Sequence, residues 1–242
     1  MLLVGLLLGI LVPASSFAAP RNEHNGDLGF GVGFGAKFST LGAGFDVAVP
    51  ISSRANLRGG FNGLDYSRSF LDNGVTYKGN LSFRSVNALL DFFPFGGGFH
   101  ISPGALLYNG NQVTADATVP AGQTFTLNNV DYRSSATNPI VGTGKLSLNK
   151  AAPMVLIGWG NLVPRSKHFS TSFEVGAVFQ GTPQTALNFS GSACDPSGIN
   201  CRNIATDPTI QSNIQARQKK INDDVKFLQY YPVVSFGLGY RF

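Results

Sequence analysis

The sequence predicts an all-β protein, an eight-stranded antiparallel transmembrane β-barrel with one extracellular-loop helix before its last strand. Three observations carry this expectation. Apolar and polar residues alternate with period two in one segment after another, as they do along half-buried strands. Charged residues make up only 13% of the 242, against ~25% in ordinary soluble domains, and the hydrophobic residues are spread along the chain. Short and long connections also alternate between the segments. A membrane-spanning barrel produces this profile, because only alternate residues face lipid and closure leaves no strand edge unpaired.

The segments justify themselves in order. "LGFGVGFGAKF" (28–38) sets Leu28, Phe30, Val32, Phe34, Ala36 and Phe38 on one face and four glycines and Lys37 on the other. Such glycines weaken an open strand, but they suit the crowded inner wall of a narrow barrel. "AGFDVAV" (43–49) points Phe45, Val47 and Val49 one way and Asp46 the other. "ANLRGGFNGLDYSRSF" (55–70) alternates more loosely, with Leu57 and Phe61 against Arg58 and Asn62. "LSFRSVNALLDFF" (81–93) sets Val86, Ala88, Leu90 and Phe92 against Asn87 and Asp91. "FHISPGALLY" (99–108) sets Phe99, Ile101, Ala105 and Leu107 against His100, Ser102 and Gly104. "PMVLIGWGN" (153–161) is apolar on both faces, and its phase stays open. "FSTSFEVGAVF" (169–179) sets Phe169, Phe173, Val175, Ala177 and Phe179 against Ser170, Ser172, Glu174 and Gly176. "VVSFGLGYRF" (233–242) closes the series with Val234, Phe236, Leu238, Tyr240 and Phe242 outward, and is expected to pair back onto the first segment.

"PISSR" (50–54), "PFGGG" (94–98) and "VPRSK" (163–167) read as short turns. The connections at 71–80, about 109–150 and about 181–227 read as long loops, and only the first on that side, near "STLG" (39–42), is short. With both ends of the barrel in the periplasm, the short turns fall on that side and the long loops outside. Pro120-Ala121-Gly122 is a candidate corner for an extramembrane hairpin over 118–127; moving that hairpin into the membrane would make ten strands, but its residues are polar for lipid. In the last long loop Asp207 is a candidate N-cap and Pro208 suits the first helical position. Ile210, Ile214, Ile221, Val225 and Leu228 then fall on one stripe of a helix over about 208–226, expected to pack on the barrel rim or an extracellular hairpin.

Residues 1–18 have the layout of a secretory signal, with an apolar run from Leu2 to Val12 and small residues before the expected cut after Ala18, although no Lys or Arg precedes the run. Residues 19–26 read as a flexible N-terminal segment and 27–242 as the barrel. Export makes a disulfide between Cys194 and Cys201 the natural use of the two cysteines; two ligands without a nearby His make a poor metal site.

The signal, the amphipathic strands, the loop asymmetry and the terminal "GLGYRF" together resemble small outer-membrane barrels of the OmpA/OmpW/opacity-like superfamily, over most of residues 27–242. The resemblance implies an address in the outer membrane of a Gram-negative envelope and contact with its lipid and lipopolysaccharide. It also implies that Tyr240 and Phe242 are read by the barrel-assembly machinery. It specifies no activity, and with the chain stopping after the barrel no cell-wall-binding domain is expected.

Candidate chemistry lies on the inward face. Lys37, Asp46, Arg58, Asp91, His100, Glu174 and Arg241 are expected to form an interior charge network, since buried charges must be paired or solvated. The same residues also suit a narrow porin-like conduit. Asp91 and His100 flank one short turn and are candidates to pair across it. His168, Ser170 and Glu174 share a face and offer the residue types of a lipid A-modifying hydrolase, but they sit at the wrong end of the barrel. "GTGKLS" (142–147) and "GFGVGFG" lack the spacing of phosphate-binding loops. Arg217, Lys219 and Lys220 give the loop helix a basic face suited to lipopolysaccharide phosphates. Phe99, Trp159, Phe169 and Tyr230 belong to two expected interfacial girdles, with Tyr66, Phe70, Tyr77, Tyr108 and Phe179 in the outer one. No cofactor is expected and nothing supports nucleic-acid binding. The favoured reading is a non-enzymatic envelope or surface barrel.

Overall fold

The computed structural model describes residues 31–72 and 74–242. The signal segment, the 19–26 segment, and Leu28 and Phe30 of the first alternating run lie outside them. In chain order the strands are β1 (Gly33–Ser39), β2 (Gly42–Ser52), β3 (Ala55–Asp72), β4 (Val75–Phe92), β5 (Phe99–Asn109), β6 (Gln112–Val119), β7 (Thr124–Leu127), β8 (Val130–Ser134), β9 (Ile140–Ser147), β10 (Ala152–Trp159), β11 (Phe169–Phe179), β12 (Gln184–Ser190), β13 (Ser192–Cys194) and β14 (Arg202–Asn203). Helix α1 (Pro208–Asp224) and one 3-10 turn then lead into β15 (Tyr230–Arg241).

Eight of these strands close a barrel in the antiparallel order β1–β2–β3–β4–β5–β10–β11–β15, and β15 returns to β1. The seam pairs Phe34 with Tyr240 and Ser39 with Ser235. Along β15 Val233, Ser235, Gly237 and Gly239 are buried, while Val234, Phe236 and Leu238 are exposed on the lipid side. Among the described residues no helix is long and apolar enough to cross a membrane; the crossing elements are the strands.

The outer loops hold more strand than the sequence reading assigned them. Residues 71–80, expected as a loop, are mostly strand. β3 and β4 run 18 residues each and stay paired to their ends at Asp72 and Val75, with Gly74 at φ +77°. Asn-Gly between alternating runs is itself a strong hairpin signal. Above Ser85, β4 leaves β5 and pairs with β6, and β9 and β12 extend this sheet beyond the barrel. Tyr66, Phe70 and Tyr77 therefore stand on this extension, above the last β4–β5 rung, and not in an outer girdle. Pro120-Ala121-Gly122 does form a turn, closed by the Gln123 N–H on the Pro120 carbonyl. It makes no hairpin, because β6 stays in the large sheet and β7 enters a separate sheet ordered β14–β13–β8–β7. The hairpin lies instead at Asn128-Asn129, both with positive φ, between β7 and β8.

Helix α1 packs where its apolar stripe directs it. Ile210 and Ile214 are buried with Val75, Val119, Leu127, Ile140, Ala193 and Ile204, so the helix covers the sheets beyond the barrel. Asn222 Oδ1 accepts the Thr185 N–H, and Gln218 donates to the Thr185 carbonyl, so the helix also caps the β12 edge. At its start Asp207 accepts the N–H groups of Thr209 and Ile210 at 3.0 Å each. The Ile210 N–H above all, with Arg202, holds the Asp207 carboxyl below its ordinary range. A carboxyl depressed by folding contributes stability above its unfolded pKa of about 3.9. That contribution is lost as pH falls through the lower folded value. Asp207→Ala should therefore fray the first turn of α1 at neutral pH, and acid should do the same to the wild type. Hydrogen exchange at 209–212 checks this, with Asp207→Ser expected to restore protection.

Candidate functional site

The inner wall of the barrel carries three layers. The layer toward the long loops is apolar: Leu41, Leu89, Leu106, Ala152, Met154, Leu156, Val178 and Val233 are buried together, with Tyr231 packed against them. The middle layer is charged. The third, at the mouth where Gly31 and Phe242 emerge, is only partly occupied by the connection after β10.

Arg58 is the hub of the charged layer. Its side chain is 5% exposed, and it donates to carboxylates from three other strands. Nε and Nη2 reach Asp91 Oδ1 at 3.2 and 2.8 Å. Nη1 reaches Glu174 Oε2 at 3.0 Å and Asp46 Oδ2 at 3.4 Å, and Nη2 also meets Glu174 Oε1. Lys37 pairs with Asp46 and lies 3.5 Å from Asn87 Oδ1. His100 places Nδ1 3.1 Å from the Gly98 carbonyl and Nε2 3.0 Å from Glu174 Oε1. Both ring nitrogens thus face acceptors, which the doubly protonated ring satisfies as a donor on each side. In that state Lys37, Arg58 and His100 balance Asp46, Asp91 and Glu174, three charges against three. Small residues stand opposite these long ones: a Cβ at Gly60 would overlap the Asp46 carboxylate, and one at Gly158 would overlap Glu174. Space left among the charges amounts to about 20 Å³, room for about one water.

Six of the seven residues expected in an interior network converge here, and Arg241 does not. Its guanidinium lies at the mouth and donates to the carbonyls of Pro164 and Arg165 at 2.7 and 3.1 Å. Asp91 and His100 make no direct hydrogen bond. Strand register sets Phe92 opposite Ile101, so Asp91 meets Ser102, whose hydroxyl donates to it at 2.6 Å, while His100 reaches Glu174 over Gly158 of the intervening β10. Asp91, His100 and Glu174 offer the ligand types of a metal site within 4.8 Å of one another. Arg58 already bonds both carboxylates, so the guanidinium supplies the positive charge there.

The hydrolase residues do not assemble. Glu174 belongs to the Arg58 cluster. His168 is exposed, donates from Nδ1 to the Arg241 carbonyl, 3.0 Å away, and stacks on Tyr240. No Ser170–His168 hydrogen bond forms among the described contacts.

Residues 160–168, of which 163–167 read as a short turn, fold back into the mouth. Val163 is buried, Asn161 Oδ1 accepts from Asn56 Nδ2 at 2.9 Å, and Arg165 donates to the Ser53 carbonyl. A Cβ at Gly33 would overlap the Leu162 carbonyl, and one at Gly35 or Gly239 would overlap the Leu162 side chain. The glycine run of the first strand therefore makes room for this inserted segment, beyond any general crowding. Nothing in the local sequence marks Leu162 as an inward plug.

The aromatic residues form contacts at both rims. Phe99 meets Trp159 at 5.3 Å, Phe169 meets Tyr240 at 5.0 Å, and Phe179 meets Tyr230 at 5.9 Å. Trp159, Phe169 and Tyr230 are 58%, 76% and 59% exposed, as side chains facing lipid headgroups are when the protein is taken alone. Phe242 packs edge-on against Phe34 and Tyr240. Outside the barrel, Cys194 and Cys201 are joined by a disulfide.

No protein-family model and no curated protein matches the chain. It is similar to two solved structures. CarO of Acinetobacter baumannii is 26% identical with a TM-score of 0.54, the match covering 86% of this chain and 96% of that one. CarO2 of the same organism is 22% identical with a TM-score of 0.55, covering 88% and 99%. With a closed eight-stranded wall, an apolar outer surface and this likeness over nearly the whole chain, the protein is an outer-membrane β-barrel similar in fold to CarO.

Proposed function

We propose that the protein is a closed, non-enzymatic envelope barrel that serves as a rigid membrane anchor for its extracellular sheets and helix. The filled lumen is the observation that carries this reading. Arg58 ties three inner-wall carboxylates together, and an apolar layer of Leu89, Leu106, Met154 and Leu156 lies beyond them. A hydrated ion crossing the lumen would have to part both layers. The extracellular part is built to be firm, with its own apolar core, a capped helix and a disulfide. In this orientation the termini and short turns face the periplasm, and the basic face of α1 at Arg217, Lys219 and Lys220 meets lipopolysaccharide phosphates.

Planar-bilayer recording of the purified, refolded protein tests the closed lumen. No current steps are expected at moderate voltage in monovalent salt. Reproducible unitary steps would overturn the reading in favour of a narrow channel.

A further inference from the structure

The mouth beside the inserted 160–168 segment encloses a cavity of about 1240 Å³, far larger than the gap among the interior charges. Its lining has an uneven charge. Arg165, Lys167 and Arg241 contribute to it, and no Asp or Glu does among the described residues. The barrel's nearest carboxylates, Asp46, Asp91 and Glu174, lie deeper and are already bonded to Lys37, Arg58 and His100.

The mouth cations have only main-chain partners. Arg165 donates to the Ser53 carbonyl and Arg241 to the Pro164 and Arg165 carbonyls through Nη1. A carbonyl accepts the hydrogen bond without cancelling the charge, and each guanidinium keeps donors to spare. Lys167 makes no ion pair among the described residues. Ser53, Asn56 and Ser166 add neutral polar groups to the lining. A concave surface lined by charge of one sign concentrates field and draws ions of the other sign. Arginine forks and a lysine ammonium are the groups that bind phosphoryl oxygens.

We propose that this vestibule is a binding site for a phosphate-bearing anion, presented either as a free solute or as the headgroup of an anionic phospholipid at the rim. That it samples the periplasm rests on the orientation proposed above. Its binding does not, because both faces of a nanodisc are open to solute.

The full-length barrel in phosphatidylcholine nanodiscs, titrated calorimetrically with pyrophosphate, provides the test. Saturable binding is expected. In R165E/K167E it should weaken by about tenfold or more, the equivalent of one charged hydrogen bond. K219E/K220E on α1 makes the same net charge change at the far end and should leave the affinity unaltered. K167E alone removes no contact in the structure, so its loss of affinity cannot reflect misfolding. Should pyrophosphate fail while phosphatidylglycerol co-purifies with the wild type and not with R165E/K167E, the ligand is the headgroup. Absence of both, or equal loss in the K219E/K220E control, overturns the proposal.

Discussion

Arg58→Leu should destabilise the barrel by about 3–5 kcal/mol, the cost of removing one partner from a buried ion pair. The leucine would leave Asp91 without a cation and Glu174 with His100 alone, both in a cavity with room for about one water. Lys37 would still hold Asp46. Urea unfolding of the refolded protein in lipid vesicles measures the loss, followed through Trp159, the chain's single tryptophan. Arg58→Lys should fall between the two. A point charge replaces the attraction but cannot match the forked contacts to Asp91 and Glu174. Partial rescue in Arg58→Leu combined with Asp91→Asn would assign the penalty to stranded charge and not to lost packing. An unchanged midpoint for Arg58→Leu would refute the hub role.

Deletion of Phe242 should sharply reduce the amount of protein reaching the outer membrane, while refolding of the purified chain in detergent stays near normal. The two outcomes separate because Phe242 contributes little to the folded barrel. Its ring is 73% exposed, touching Phe34 and Tyr240 edge-on, and its N–H donates to the Val32 carbonyl at 3.1 Å. A residue with so few contacts serves the fold weakly, which suits one that is read during assembly. Phe242→Trp should retain assembly and Phe242→Asp should lose it, measured as heat-modifiable protein in the membrane fraction. Equal membrane levels for the deletion and the wild type would remove the assembly role.

The architecture was legible because a barrel wall needs only a period-two rule, and most wall strands obey it over enough residues to set their phase. β15 shows this clearly: Val234, Phe236 and Leu238 alternate with Ser235, Gly237 and Gly239, and the structure turns the first set outward. The phase of 153–161 was not legible, since both faces are apolar. There Met154 and Leu156 belong to the interior plug, and Val155 and Ile157 to the opposite, lipid-facing side. An apolar layer inside a membrane barrel erases the contrast on which the rule depends. The 71–80 stretch was not legible for the opposite reason, because its polar residues resemble a loop although β3 and β4 run through most of it.

Within the candidate site, residue types were readable and partners were not. Inward parity selects Lys37, Asp46, Arg58, Asp91, His100 and Glu174 from the sequence alone. Parity also selects Arg241, and there it misleads, because the strand's last inward residue meets the mouth segment instead of the lumen. Which carboxylate each cation takes depends on strand stagger around the closed wall. That stagger brings Arg58 to Glu174, 116 positions away in sequence, and sends His100 past Asp91.

The sequence by itself determined that this chain crosses a membrane as strands, which residues of most wall strands face lipid and which face inward, where the loop helix begins, and how the last strand seals the first. Those properties follow from local spacing, and local spacing is written in the chain. Only the tertiary structure decided that the lumen is layered, that Leu162 folds back against Gly33, Gly35 and Gly239, and that three mouth cations pair with no carboxylate among the described residues. Those properties depend on the registers of eight strands closing on one another, a long-range constraint that no window of the sequence contains.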